Sequence, residues 1–305
     1  MLEATTAPTT KRKTFRDGLS SGRLLRFPGA LNPLVAILIE ELGFEGVYGS
    51  GAVMSAELGL PDIGLLSLSE VAERSHQIAR VTNLPVLVDA ETGFGEPVNV
   101  ARAIQRLEDV GVAGCHLEDQ VNPKRCGHLE NKAVVSTNEM VQRLSAAVTA
   151  RRDDGFVICA RTDCRDAEGL DALLERARSY VDAGADMIFP EALRNEAEFE
   201  AVRNAISVPI LANMTEFGKS PILSTRTLSS LGVNVVIYPV TALRIAMGAI
   251  ERGLHILLAE GSQEGLIAEM QTRDRLYELV DYEAYNTFDS TIFDFAHGTE
   301  GDQHG

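Results

Sequence analysis

At 305 residues, 45% hydrophobic and 24% charged, the chain can bury a large core and has the balance of a globular protein. A formal net charge of -16 disfavours a nucleic-acid partner, whose phosphates it would repel, and no apolar run is long enough to cross a bilayer. A small anionic ligand would need local help from a metal ion or arginines, and four cysteines without a secretory segment imply reduced thiols and a cytoplasmic protein.

Residues 1–22 read as a flexible arm, Thr-rich with a basic cluster at Lys11, Arg12 and Lys13. Residues 23–295 read as one domain and residues 296–305 as a flexible tail. Within the domain, short apolar runs at 24–27, 46–49, 85–89, 114–118, 156–161, 187–190, 208–212 and 233–238 alternate with amphipathic stretches. Eight such βα units predict a parallel, closed (β/α)8 barrel. Met140, Leu144 and Val148 recur at helical spacing after an acidic start at Glu139, and Gly43, Gly111 and Gly184 stand where helices stop before the next strand. After the eighth strand, residues 240–260, 265–280 and 281–295 predict more helix than a barrel requires. Their apolar residues need a partner, and a neighbouring subunit would supply one.

Barrels of this kind carry chemistry at the C-terminal ends of their strands. The predicted ends read Tyr48-Gly49-Ser50-Gly51, Asp89-Ala90-Glu91, Glu118-Asp119, Arg161-Thr162-Asp163, Pro190-Glu191 and Asn213-Met214-Thr215. In an extended segment Asp89 and Glu91, two apart, would face one side. A hard divalent cation would relieve the repulsion of that pair, and Mg²⁺ takes one or two carboxylates plus waters. Asp62 and Glu118 could accept from those waters. The spacing suits equally a solvated loop pair or a salt bridge. Arg161 offers a fork that fits a carboxylate, or a surface ion pair. The loops after the last two strands lack the paired glycines of a phosphate site. Cys115-His116 gives no zinc motif, because neighbours on a strand point to opposite faces; His116 reads as a barrel-lining histidine.

The stretch 122–132 interrupts the pattern after the fourth strand. Lys124, Arg125, His128 and Lys132 surround Cys126, and positive neighbours lower a thiol's pKa. Cys126 is therefore a candidate proton donor on a loop of lid length hinged at Gly127, against the plainer reading of an exposed surface cysteine.

The segments 88–95 (Val-Asp-Ala-Glu-Thr-Gly-Phe-Gly), Glu118-Asp119-Gln120, Lys124-Arg125-Cys126-Gly127-His128, Ala160-Arg161-Thr162-Asp163 and 213–218 resemble the isocitrate lyase/phosphoenolpyruvate mutase superfamily over about residues 15 to 295. The Cys-Gly-His loop points to its lyase branch. The resemblance implies an α/β barrel whose terminal helix is swapped between subunits of a homotetramer. It implies Mg²⁺, with Mn²⁺ as a substitute, on Asp89 and Glu91, and Asp62 and Glu118 in the surrounding shell. Ser50, Gly51, Ala52 and Arg161 match the positions that bind the pyruvate-forming carboxylate. Cys126, Gly127, Glu191, Asn213, Met214, Thr215, Arg244 and Arg273 match further substrate-contacting positions. Two departures stand out: relatives commonly have Asp-x-Asp where this chain has Asp89 and Glu91, and Ser-Gly-Gly where it has Ser50-Gly51-Ala52.

The function so implied is retro-aldol cleavage of 2-methylisocitrate to pyruvate and succinate, in the methylcitrate route for propionate. Cys126 would be the acid and Tyr48, beside Ser50, the candidate base. Isocitrate, dimethylmalate or oxaloacetate are alternative small di- or tricarboxylic acid substrates of the same site. A non-catalytic anion-binding barrel is the reading from another class.

Overall fold

A computed structural model describes residues 4–125 and 133–293. The strands are β1 (Leu25–Pro28), β2 (Val47–Gly49), β3 (Val86–Asp89), β4 (Gly114–Glu118), β5 (Val157–Thr162), β6 (Met187–Pro190), β7 (Leu211–Asn213) and β8 (Val235–Tyr238). All pairings are parallel, in the orders β2-β3-β4-β5-β6 and β1-β8-β7. The single bridges Gly29 to Tyr48 and Ile188 to Ile210 join the two arcs, so the strands run round a closed barrel in sequence order. The helices are α1 (Pro8–Leu19), α2 (Pro33–Glu41), α3 (Gly51–Glu57), α4 (Leu68–Ala79), α5 (Pro97–Asp109), α6 (Thr137–Ala150), α7 (Arg165–Glu168), α8 (Leu170–Asp182), α9 (Glu196–Ala205), α10 (Thr225–Ser230), α11 (Thr241–Glu260), α12 (Arg273–Leu279) and α13 (Tyr282–Phe293). No described helix is long and apolar enough to cross a membrane.

The strands form where the apolar runs predicted them, because most have both faces buried and carry their charged residues near the upper ends. Met140 and Leu144 of α6 are fully buried and Val148 packs at the edge of the same core. Gly43, Gly111 and Gly184 take φ of 80°, 86° and 98°, the left-handed conformation that ends a helix cheaply only at glycine.

The barrel interior is stratified. Leu25, Phe27, Leu87, Val157, Met187, Leu211 and Val235 form an apolar lower layer with Phe15 and Leu19 of α1. Residues two further along a strand share its face. The same ladders therefore climb through Cys159 to Arg161, from Leu87 to Asp89, and from Leu211 to Asn213.

Helix α1 corrects the reading of residues 1–22 as a flexible arm. Phe15 is wholly buried, its ring 5.1 Å from that of Phe27, and it closes the lower end of the barrel. Two members of the basic cluster, Lys11 and Arg12, are buried. Lys11 Nζ donates to the carbonyls of Ala79 (2.7 Å) and Thr82 (2.5 Å), and Arg12 to those of Val112 (3.0 Å) and Glu108 (2.6 Å). These carbonyls lie at and just beyond the C-terminal ends of α4 and α5, where helices leave acceptors unpaired and favour cations.

Candidate active site

At the upper end of the barrel the strands deliver a ring of charge. Asp89 and Glu91 are each 4% exposed, Arg161 is 7% exposed, and Glu118 is completely buried. The Asp89 carboxylate accepts the Glu91 backbone N–H at 2.9 Å and Gly93 N–H returns to Ala90 O at 2.9 Å. This tight turn puts Glu91 at φ 53°, sparsely populated for a residue with a Cβ. The pair is therefore not brought together by an extended segment, as the two-residue spacing predicted; the chain turns back after Asp89. Both carboxylates still reach one point. A Cβ placed on Gly51, the first residue of α3, would stand 2.8 Å from Asp89 Oδ2 and 2.8 Å from Glu91 Oε1. Glycine is needed there because the carboxylates fill the space.

Lys124 was read from sequence only as part of a basic loop. Its side chain is 4% exposed and descends among the acids, with Nζ 2.5 Å from Asp62 Oδ1 and 3.2 Å from Glu91 Oε2. The contact with Glu91 has ion-pair distance without hydrogen-bond geometry, and both Glu91 oxygens and both Glu118 oxygens lack a hydrogen-bond partner. Burial, and then the negative charge of Asp89, push the Glu91 carboxyl up to about 7. Burial also drives Glu118 well above the carboxylate range, with Arg161 and Lys124 opposing it. Asp89 behaves oppositely: burial raises it, but His116, Lys124 and Arg161 more than reverse that and hold it low.

Arg161 is locked by its neighbours. It donates to both oxygens of Asp163 (2.8 and 3.0 Å), lies 3.4 Å from Glu118 Oε2 and rests over the Phe189 ring at 4.9 Å. Tyr48, 2% exposed, hydrogen-bonds His116 Nε2 at 2.7 Å, and the same nitrogen lies 3.8 Å from Asp89 Oδ1. Burial, only partly opposed by Asp89, brings His116 down to about 4, so the imidazole is neutral at neutral pH. Burial and Asp89 hold the Tyr48 phenol well above its ordinary value.

These groups open onto one cavity of about 100 Å³. Of the residues singled out in the sequence, Tyr48, Ser50, Ala52, Asp62, Asp89, Arg161, Glu191, Asn213, Thr215 and Arg244 line it, joined by Lys124 and Phe189. Ser50 caps α3 by accepting from Val53 N–H at 3.4 Å. Asn213 donates to Glu191 at 3.3 Å, and Arg244 is held at the rim by Glu216 O at 2.5 Å. Met214 and Arg273 are not brought to this cavity. The Met214 sulfur accepts from Leu223 N–H at 3.2 Å, and Arg273 is exposed at the start of α12. Cys126 and Gly127, with His128 and Lys132, lie outside the described residues.

The residues present fit a divalent cation. Among the described residues no three His, Cys, Asp or Glu side chains are already gathered as a cage, but magnesium needs only one or two carboxylates and keeps its waters. Asp89 and Glu91 converging on Gly51, with Glu91 lacking any hydrogen-bond partner, meet that requirement.

The sequence pattern of the phosphoenolpyruvate phosphomutase family matches residues 15–258. A probable 2-methylisocitrate lyase of Corynebacterium glutamicum is 58% identical over 97% of this chain and 96% of its own length. Among solved structures, an oxaloacetate acetylhydrolase in complex with 3,3-difluorooxalacetate superposes with a TM-score of 0.87 at 33% identity, over 93% of this chain and 98% of that one. A phosphonopyruvate hydrolase in complex with oxalate and Mg²⁺ does so with a TM-score of 0.85 at 30% identity, over 93% and 99%.

Proposed function

The chain belongs to the phosphoenolpyruvate phosphomutase/isocitrate lyase family, and from that premise we propose that it is a carbon–carbon lyase that cleaves 2-methylisocitrate to pyruvate and succinate. The observation that carries this reading is a single small cavity in which arginines and carboxylates face one another. An α-hydroxy acid with several carboxylates can bridge the two, its hydroxy acid end shared with a cation on Asp89 and Glu91 and its charges met by Arg161 and Arg244. Mg²⁺ or Mn²⁺, held by Asp89 and Glu91 with Asp62 and Glu118 around its waters, would act as a Lewis acid towards the carbonyl that develops.

The rest falls to the chain's own side chains. Arg161, pre-oriented by Asp163, binds the carboxylate that ends in pyruvate, beside Ser50, Gly51 and Ala52 at the start of α3. Tyr48 is not a standing phenolate, because its pKa is raised. It takes the substrate hydroxyl proton while its own proton moves to neutral His116 Nε2, 2.7 Å away. The C–C bond then breaks, its electron pair goes to the succinate fragment, and Cys126 protonates that carbanion. Arg244, with Glu191, Asn213 and Thr215, holds the succinate end.

The 58% identity with the C. glutamicum relative favours methylisocitrate over oxaloacetate, whose acetylhydrolase structure is 33% identical. The reading includes the methylcitrate route, a soluble cytoplasmic enzyme, and a homotetramer that covers the apolar C-terminal helices. One assay tests it: pyruvate release from 2-methylisocitrate and isocitrate, with and without a chelator, by the wild type and Cys126→Ser. Expected are a preference for methylisocitrate in kcat/KM, loss of turnover on chelation, and no turnover in Cys126→Ser. Preference for isocitrate overturns the substrate, and near-normal turnover of the variant removes Cys126 from the chemistry.

A further inference from the structure

Behind the carboxylates lies a second cavity of about 390 Å³, reached from the side of the barrel between the starts of α4 and α5. Glu91 lines it and Asp89 does not; Asp89 lines the substrate cavity and Glu91 does not. The two carboxylates thus stand in the partition between a front and a rear space. Lys124 completes that partition, its ammonium shared between Asp62 and Glu91.

We propose that the rear cavity is the route by which a hydrated divalent cation reaches and leaves Asp89 and Glu91, so that the metal exchanges without crossing the substrate cavity. This rests on the metal-dependent reading above. The two spaces differ in the way such traffic requires. The front is about 100 Å³ and sets Arg161, Arg244 and Lys124 against Asp62, Asp89 and Glu191, beside the apolar faces of Phe189 and Ile237, so a cation crossing it must pass three fixed positive charges in a narrow space. The rear is roomier and walled by neutral oxygen-bearing side chains, Ser67, Ser69, Thr92, Asn99 and Asn122. Magnesium gives up its waters reluctantly, so its path must pass a hydrated ion and offer acceptors to those waters. Arg102, the only cation among the rear lining residues, is solvent-exposed at the mouth, where its field is screened. Glu91, 4% exposed and without a hydrogen-bond partner, is the only carboxylate among the rear lining residues, so it is the first acidic group the ion meets. An arriving ion takes over from the Lys124 ammonium at Glu91 and leaves that ammonium on Asp62.

Mn²⁺ is the probe. Its association and its release into excess chelator are followed by electron paramagnetic resonance in the full-length protein, in Ser69→Trp and in Asn99→Phe. Both replaced residues are exposed at the rear mouth. Both rates should slow by on the order of tenfold with an unchanged Kd. A front-cavity substitution, Thr215→Phe, should raise KM and leave Mn²⁺ exchange as it was. Unchanged exchange in both rear variants overturns the proposal, as does slowing by Thr215→Phe alone. Failure of the wild type to bind Mn²⁺ would instead overturn the metal site itself.

Discussion

The barrel mouth and the C-terminal helices solve opposite problems with the same chain. At the mouth, charge is buried and the cations and Tyr48 are each held by a neighbour: Arg161 by Asp163, Lys124 by Asp62, Tyr48 by His116. In the C-terminal arm, apolar surface is left uncovered. No residue of α11 is buried, Ile245 is 69% and Leu258 85% exposed, and an apolar groove of about 380 Å³ runs beside Leu254 and Leu257. Among the described residues the cations of the mouth find their partners within one chain; the apolar residues of the arm do not. Chemistry should therefore fail by substitutions at the mouth and assembly by substitutions in the arm, with little exchange between the two.

Among the described residues, the largest effect is expected at Arg161. Arg161→Lys keeps the charge but loses the fork that grips Asp163 and stacks on Phe189. It also leaves buried Glu118 and Asp163 poorly compensated. A loss of about 10²–10³ in kcat/KM follows from a few kcal/mol of lost pairing. Sedimentation should show the oligomer unchanged. A variant that loses assembly along with activity would break the separation of the two regions.

The arm comes next. Leu254→Glu with Leu257→Glu puts two charges into the groove, where burying them unpaired would cost several kcal/mol. The expected result is a smaller species by analytical ultracentrifugation, with the circular dichroism of the barrel retained. An unchanged sedimentation coefficient would mean that the apolar face of α11 joins no second copy.

Much of the mouth was legible because strand ends are fixed by arithmetic. Once the apolar runs are placed, Asp89, Glu118, Arg161 and Glu191 must stand at the top of β3, β4, β5 and β6. What sequence missed depends on reach and on backbone torsion, which have no period. Lys124 enters the site by the length of its side chain from an irregular loop. Glu91 is aimed by a left-handed turn that an alternating pattern cannot express. Helix α1 was misread because its four buried residues include Lys11 and Arg12, whose stems are covered while their heads cap carbonyls. Arg273 marks the limit of carrying residues over by resemblance: its place in the single chain is exposed and away from the cavity.

A pH series sharpens the contrast from the side of the mouth. Folded Glu91 titrates at about 7 against an ordinary value of 4.5, so between those values the folded protein holds a proton that the unfolded chain has lost. Glu91 thus contributes stability that is lost as pH rises through that window, with Glu118 acting in the same direction, while His116, held at about 4 when folded against an ordinary 6.5, contributes the opposite slope. A bound divalent cation keeps Glu91 ionised and removes the effect. Because His116 offsets the Glu91 slope in chelator, the readout is the gain in stability on adding Mg²⁺, which should grow from about pH 5 to about pH 7 by at most about 3 kcal/mol. A Mg²⁺ gain independent of pH would separate Glu91 from the metal.

The smallest expected effect probes whether the mouth has a part less firmly held than its charges. Gln120 is 1% exposed, and its side-chain amide pairs with the backbone of Arg125 twice, accepting from the N–H and donating to the carbonyl at 2.8 Å each. On the return, Val121 N–H donates to Ala133 O and Val135 N–H to Asp119 O, also at 2.8 Å. The side chain thus fixes the residue before Cys126 without touching the cavity. Gln120→Ala removes two hydrogen bonds whose net worth is about 0.5–1.5 kcal/mol each. If they position the thiol, kcat should fall by about tenfold while KM and the oligomer stay as they were. Gln120→Glu keeps the bond from Arg125 N–H when ionised and can also donate to the Arg125 carbonyl when protonated, so it should recover part of the loss, and more of it as pH falls. An equal fall in Tm and in kcat, with no such recovery, would make Gln120 a packing residue and leave the orientation of Cys126 to Lys124 and its carboxylates.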